Sequence, residues 1–274
     1  MIISEWLKIA TKSLKTASIP SARLDAELIL ANTLRKNRTY LHAHLDEKID
    51  PRRFDIANAR LDLRLDRVPI AYILGYKEFY GRKFTVSPSV LIPRPESEDL
   101  ISLFLELTAS EIAEKVLIDV GTGSGCLGIT AKLERSNLSV ILSDISKPAL
   151  NIAEKNANAL NVDVHIQQQS LLNGQLKPVD YIFANLPYVD KNWDVSPELQ
   201  YEPDIALFAE DEGLKLILQL ISQAPRCLTS EGLLFIEADP QQHNRIIDEA
   251  VKNGFIKENV LNYILVLRFT GAQD

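Results

Sequence analysis

The chain has 274 residues, 46% of them hydrophobic and 24% charged, with a formal net charge of −7. That length allows one large domain or two smaller ones, and the composition is ordinary for a soluble globular protein. No apolar run reaches the roughly 20 residues that span a bilayer, and 2 Cys with 4 scattered His offer neither a disulfide framework nor a spaced metal cluster.

The opening residues, Met1-Ile-Ile-Ser-Glu-Trp-Leu-Lys8, carry Glu5 and Lys8 within an apolar pattern, so no secretory leader is expected. Cys126 and Cys227 suit a reducing, cytoplasmic setting. His42-Ala-His44, the closest histidine pair, reads as a solvated loop. Residues 1–74 hold 13 Lys/Arg against 9 Asp/Glu, a net of +4, and the remaining 200 carry −11. An acidic larger part argues against direct DNA binding, which needs a basic footprint. The basic part suits an acidic protein surface, RNA, or simply a solvated helical face.

The first 70 or so residues read as helices, with no glycine before Gly75. Ser21 precedes Ala22–Ala31, where Leu24, Leu28 and Ala31 share one helical face. Pro51 opens another stretch, with Phe54, Ile56, Ala59, Leu61 and Leu65 as candidate core positions. The texture changes at Pro69. Aromatic and β-branched residues between Gly75, Gly81, Pro88, Pro93 and Pro95 predict a hairpin or short extended pair. From about residue 97 helix and strand alternate. Strands are predicted at Val116–Val120, Leu138–Ser143, Val164–Gln167, Tyr181–Ala184 and Gly232–Ala238. Helices are predicted at Gly125–Glu134, Lys147–Leu160, Gly213–Gln223 and Gln241–Asn253. Alternation of this kind gives an α/β fold with a mostly parallel sheet and helices on both faces. Phe255–Val260 and Tyr263–Phe269 lie too close for a helical crossover, so they should pair antiparallel.

Three motifs carry chemistry. Asp119-Val-Gly-Thr-Gly-Ser-Gly125 follows a strand and opens a helix, and its glycines allow close approach to a ligand. It lacks the third glycine of the dinucleotide fingerprint and the Lys-Ser/Thr of a phosphate loop. Asp144 ends the next strand, where an acid can accept from ribose hydroxyls or can cap the following helix. Asn185-Leu-Pro-Tyr188 ends another strand and sets an amide, a rigid turn and an aromatic face at one sheet rim. Those parts suit methylation of a planar, weakly nucleophilic nitrogen, or they are an ordinary proline turn. All three end strands, so they should share the ligand-binding rim of an open sheet.

These residues resemble the protein-glutamine N5-methyltransferases that modify peptide-chain release factors, the HemK/PrmC family, and the resemblance covers most of the chain. It rests also on Arg23-Leu-Asp-Ala-Glu27, on Pro69–Gly75 with Glu78, Phe79 and Gly81, and on Val90-Leu-Ile-Pro-Arg-Pro-Glu96 with Glu98. Tyr201-Glu-Pro203, Ala206-Leu207 and Gly213-Leu214 extend it. The chain departs from the family at Leu186, where proline is usual, at Ser170-Leu171, where an acid often precedes an apolar residue, and at Glu237-Ala-Asp239. The resemblance implies a Rossmann-like seven-stranded sheet with an antiparallel last strand, preceded by a small helical bundle. It implies three parts: a substrate-recognition domain over 1–72, a hairpin connector over 73–96 and a methyltransferase domain over 97–274.

It further implies S-adenosylmethionine as cofactor, S-adenosylhomocysteine as product and a glutamine in the Gly-Gly-Gln loop of class I release factors as target. Gly121, Thr122, Gly123, Ser124, Gly125, Asp144, Leu171 and Asn185 would bind the cofactor. Asn185, Leu186, Pro187 and Tyr188 would hold the substrate amide, with Asn185, Pro187 and Tyr188 catalytic. The Asn185 oxygen and a main-chain carbonyl near Leu186–Pro187 would accept the two amide N–H groups, and Tyr188 would stack on the amide. A monomer without metal, covalent intermediate or membrane contact is expected. Arg94 and Glu96 are either a surface ion pair or a brace for the connector. Other readings share parts of the pattern: a glutamine methyltransferase of a ribosomal protein, an adenine-N6 DNA methyltransferase, or a non-catalytic adenosine-binding module.

Overall fold

Helical spacing of apolar residues builds the first part of the chain, whose structure is a computed structural model describing residues 1–175 and 177–271. Ile3, Trp6, Ala10 and Leu14 recur at three- and four-residue intervals and bury one face of α1 (Ile3–Thr16). They pack with α2 (Ala22–Leu34), α3 (Arg38–Ala43), α4 (Pro51–Leu65) and α5 (Ile70–Leu74) around a core that includes Ile29, Leu30, Leu41 and Leu61. The Asp50 carboxylate accepts from the Arg52 and Arg53 amides and Pro51 takes the first helical turn, which fixes where α4 starts. This unit comprises Met1–Tyr76 together with Ser196–Tyr201.

Two expectations about its core hold only in part, for Ala31 and Leu61 are buried as expected. Leu24 is exposed and Leu28 only half-buried; the buried set in α2 runs Ala22, Asp25, Ala26, Glu27, Ile29, Leu30, Ala31 and Thr33. Helix α2 touches α1, α3, α4 and α5, so no single apolar stripe describes it. Two of its inward positions are carboxylates with partners: Arg64 Nε donates to Asp25 at 2.7 Å, and Arg38 Nη2 to Glu27 at 2.6 Å. In α4, Ile56 and Ala59 face solvent while Ala57, Leu61 and Arg64 are buried; Phe54 and Leu65 pack at the margin.

The second unit, Lys77–Val195 with Glu202–Asp274, contains the sheet. The predicted hairpin forms from β1 (Tyr76–Phe79) and β2 (Arg82–Thr85), joined by Tyr80 and Gly81, both at positive φ as a two-residue turn of this hand requires. Phe79 and Phe84 bury into the core on one face of the large sheet. Asn156 ties the hairpin to the glycine loop: it accepts from the Thr85 amide and donates to the carbonyls of Thr85 and Ser124.

The sheet runs β5-β4-β3-β6-β7-β9-β8, with β3 (Lys115–Val120), β4 (Leu138–Asp144), β5 (His165–Gln168), β6 (Val179–Ala184) and β7 (Leu228–Glu237) parallel. The last two strands, β8 (Phe255–Leu261) and β9 (Ile264–Phe269), pair antiparallel to each other, and β9 runs antiparallel to β7. The helices of this unit are α6 (Glu98–Leu107), which precedes β3, then α7 (Cys126–Glu134), α8 (Lys147–Ala159), the short α9 (Asp204–Leu207), α10 (Lys215–Gln223) and α11 (His243–Lys252). Alternate residues of the central strands feed opposite cores. Leu117, Tyr181, Phe183 and Phe235 meet Phe104 of α6 on one side; Ile118, Ile182, Leu234 and Ile236 meet Leu220 and Ile246 on the other. Burial on both faces explains why these strands read as unbroken apolar runs.

Strand order reverses between β3 and β6, which are direct neighbours. Their carboxyl ends therefore form the switch point at which open α/β sheets bind ligands. Among the described residues, no helix is long and apolar enough to cross a membrane.

Candidate active site

The loop leaving β3 is braced by its own aspartate. Asp119 Oδ2 accepts from Thr122 Oγ1 at 2.6 Å and from the Gly128 amide at 3.0 Å. One oxygen thus closes the turn and starts α7. Burial pushes the Asp119 carboxyl up to about 6, against the lowering effect of those two bonds. Asp144, at the end of β4, accepts from the Gly123 amide at 3.0 Å and from the Ser146 amide at 2.8 Å. Burial raises its carboxyl as well. Ser146, not Asp144, caps α8, with its hydroxyl oxygen accepting from the Ala149 amide.

These groups wall a cavity of about 220 Å³ at the switch point. Of the predicted residues, Gly121, Thr122, Gly123, Ser124, Asp144, Leu171, Asn185, Leu186 and Pro187 line it. Gly125 and Tyr188 do not. A Cβ on Gly125 would meet Ile129 at 2.7 Å and Ala153 at 3.2 Å, so its place is in the strand–helix packing under the loop. The Tyr188 hydroxyl donates to Glu237 Oε1 at 3.2 Å, behind the motif. Burial first, and then the charge of Glu237, raises the Tyr188 phenol. Cys126 is buried at the wall, where desolvation pushes its thiol up to about 12, so it is no nucleophile at neutral pH.

Leu186 is buried in the core and lies against the glycine loop: a Cβ on Gly121 would sit 2.9 Å from its Cδ2. The residue that departs from the family pattern thus couples the two motifs by packing. Asn185 Nδ2 donates to Ser97 Oγ at 3.2 Å, and Ser97 Oγ donates to Glu237 Oε2 at 2.6 Å. Gln242 Nε2 donates to the carbonyls of Tyr188, at 2.9 Å, and Glu212, at 2.8 Å. Gln242 Oε1 accepts from the Asp239 amide, and Asp239 Oδ1 accepts from that of Gln241. The Glu237-Ala-Asp239 departure therefore builds a turn that grips the exit of the motif.

The Val90–Glu96 and Tyr201–Pro203 segments meet through one carboxylate. Glu202 is buried; its Oε2 accepts from the Ile92 amide at 2.9 Å and its Oε1 from Arg94 Nη2 at 2.5 Å. The partner of Arg94 is thus Glu202 and not Glu96. Ser97 and Gln242 carry no mark in the sequence, because each works on a segment tens of residues away; Glu202 stands in the Tyr201-Glu-Pro203 motif, but its partners Ile92 and Arg94 do not show there. Glu237 had a signal: it is the one charge closing the apolar run Leu233-Leu-Phe-Ile236, at the same rim as the motifs.

Adenosine fits this wall by its chemistry. Asp144 has acceptor capacity for hydroxyls. A Cβ on Gly123 would meet nothing nearer than 4.0 Å, so its absence leaves the cavity open rather than relieving a clash. Gln169 lines the cavity with a buried Nε2 that has no protein partner, while its Oε1 accepts from Gln167. Among the described residues no acid or thiol cluster suits a metal.

Comparison with known proteins agrees. Residues 5–75 match the model of the PrmC N-terminal domain, and residues 98–200 match that of the methyltransferase small domain. The release factor glutamine methyltransferase of Leptospira interrogans is 37% identical over 91% of this chain and 90% of its own. That of Koribacter versatilis is 39% identical over 88% and 89%. The solved structure of ribosomal protein L11 methylase from Lactobacillus delbrueckii covers 72% of this chain and 91% of its own at a TM-score of 0.50 and 24% identity, a likeness of fold. The seven-stranded sheet with its two antiparallel last strands, and relatives this similar across nine-tenths of their length, place the chain in the release factor glutamine methyltransferase family.

Proposed function

We propose that this protein transfers a methyl group from S-adenosylmethionine to the side-chain amide nitrogen of the glutamine in the Gly-Gly-Gln loop of class I release factors, leaving S-adenosylhomocysteine and releasing one amide proton to solvent. The observation that carries the reading is Asn185, an amide held at the rim of a cavity that Gly121–Ser124 and Asp144 also line. The names of the relatives supply the partner class.

Asp144, Gly123 and Gln169 would hold the ribose and adenine, and Leu171 would pack against them. When bound, the cofactor supplies an electrophilic sulfonium methyl. A glutamine amide nitrogen is a poor nucleophile because its lone pair is delocalised into the carbonyl. What the site must supply is position, and positioning alone can lower a barrier by several kcal/mol, on the order of 7–11 at best. Asn185 Oδ1 accepts one amide N–H and a main-chain carbonyl near Leu186–Pro187 accepts the other. Pro187 fixes the backbone angle there and hence the direction of that carbonyl. Tyr188, anchored on Glu237, stiffens the turn from behind rather than stacking on the substrate. The helical unit, with its net positive charge, would hold the remainder of the partner, and the cytoplasm is where that partner works.

The test is methyl transfer from labelled S-adenosylmethionine, offered in parallel to release factor, ribosomal protein and duplex DNA. Label is expected in release factor alone. Label in ribosomal protein or DNA with none in release factor would replace the substrate assignment, and no label anywhere would leave an adenosine-binding module.

A further inference from the structure

We propose that Glu237 is a positioning residue: through Ser97 it sets the polarity of the Asn185 amide and keeps Oδ1, not Nδ2, toward the cavity. The inference rests on reading Asn185 as the group that orients the substrate amide.

Glu237 closes β7 and is buried, 1% exposed. An ionised carboxylate can only accept hydrogen bonds. Its Oε2 takes the Ser97 hydroxyl at 2.6 Å, so the single Ser97 proton is committed to Glu237. Ser97 Oγ can then offer Asn185 only lone pairs, and Asn185 answers with Nδ2 at 3.2 Å. The carboxamide is planar and two-sided, so fixing Nδ2 on Ser97, which lines the cavity beside Asn185, leaves Oδ1 as the free acceptor of that amide. The Tyr188 hydroxyl spends its proton on Oε1 of the same carboxylate. Burial raises the Glu237 carboxyl, and the bonds from Ser97 and Tyr188 act the other way. A buried acceptor with two hydroxyl donors, Ser97 and Tyr188, is thus placed behind a motif whose task is to accept.

A glutamine at 237 would keep the shape and lose the polarity. If its NH2 met Ser97 Oγ, the Ser97 hydroxyl could turn and donate to Asn185 Oδ1. The flipped amide would then present NH2 to the NH2 of the substrate. Ser97→Ala removes the relay itself, whereas Ser97→Thr keeps the hydroxyl.

The experiment measures kcat and KM for release factor, calorimetric affinity for S-adenosylmethionine, and melting, on full-length Glu237→Gln, Ser97→Ala, Ser97→Thr and the E237Q/S97A double variant. Glu237→Gln and Ser97→Ala should each lower kcat by roughly 10- to 100-fold, with KM and cofactor affinity within about threefold of wild type. Because both act on one amide, the double variant should be no slower than the worse single variant, and Ser97→Thr should recover most of the rate. Wild-type kcat in Glu237→Gln, losses that multiply in the double variant, or cofactor affinity falling in step with kcat would overturn the proposal. Should Glu237→Gln lose its melting transition, the Ser97→Ala and Ser97→Thr pair decides: a loss that threonine does not recover overturns it.

Failure of the substrate reading looks different. If wild type is silent on release factor, orientation is still readable from the Asn185 side-chain NH2 signals in nitrogen–proton correlation spectra, identified by their loss in Asn185→Ala. Slow solvent exchange in wild type that becomes fast in Ser97→Ala upholds the relay. Fast exchange in wild type contradicts it.

Discussion

Gly213 shows how tightly single residues hold the Asn185–Tyr188 turn. Its φ is +83°, and a Cβ there would lie 2.0 Å from the Tyr188 carbonyl oxygen and 2.7 Å from Gln242 Nε2. Gly213→Ala should therefore cost about 2–4 kcal/mol of stability, combining backbone strain with a broken Gln242 bond, and should slow turnover as well. Urea titration would read the loss, and a variant as stable as wild type would show that the clash is relieved by a small shift. The side chains that touch the cavity from strand ends could be read in sequence, because Asp144 and Asn185 each follow an apolar run. Ser97 and Gln242 could not. They reach Asn185 and Tyr188 from 88 and 54 residues away, and their own neighbourhoods are ordinary. Tyr188 was legible as a member of the motif but not in its orientation, which Glu237 decides.

At the scale of elements, β3 is joined to α7 through Asp119, and this joint titrates. Its carboxyl is raised by burial from 3.8 to about 6 in the folded protein. A raised folded value means the folded state holds the proton longer, so the contribution of Asp119 is most favourable below 3.8 and is lost as pH rises through about 6. Both of its hydrogen bonds enter one oxygen, so the single oxygen of asparagine can accept both. Asp119→Asn should flatten the fall in stability across that window, measured by urea titration on either side of it; an unchanged slope would assign the pH dependence to other groups. Glu202 makes a comparable joint. Replacing it by Ala strands the Ile92 amide and frees Arg94, at a cost of about 1–3 kcal/mol, and faster hydrogen exchange at Ile92 is the expected sign. Most strands were legible to within a few residues because they are buried on both faces. The inward face of α2 was not, since a helix touched by four others has no simple stripe and since Asp25 and Glu27 turn inward onto arginines.

At the scale of the whole molecule, the chain divides into a helical unit and a sheet unit, and the segment Ser196–Tyr201 belongs to the first although it follows the Asn185 motif in sequence. Arg64 is the reason within that unit. It pairs with buried Asp25 at 2.7 Å and with Glu198 at 3.3 Å, while Arg67 adds a contact to Glu198 and the Tyr201 hydroxyl donates to the Asp66 carbonyl. Arg64→Ala leaves Asp25 without its cation in a dry site, which should cost about 3–5 kcal/mol. The loss should fall on the helical unit, seen as faster hydrogen exchange in α1, α2 and α4 with the sheet strands still protected; uniform loss of protection would contradict it. Composition separated the two units by charge and by glycine content, but the return of 196–201 to the first rests on contacts that no local pattern records.

The central claim is that Asn185 directs methyl transfer onto a glutamine amide of a release factor. The direct measurement is peptide mapping by mass spectrometry of release factor treated with S-adenosylmethionine and either wild type or Asn185→Ala. Wild type should add one methyl group to the glutamine of the Gly-Gly-Gln loop, and Asn185→Ala none although that variant still binds S-adenosylmethionine in calorimetry. Methylation by Asn185→Ala at the wild-type rate, or a methyl group on any other residue, would contradict it.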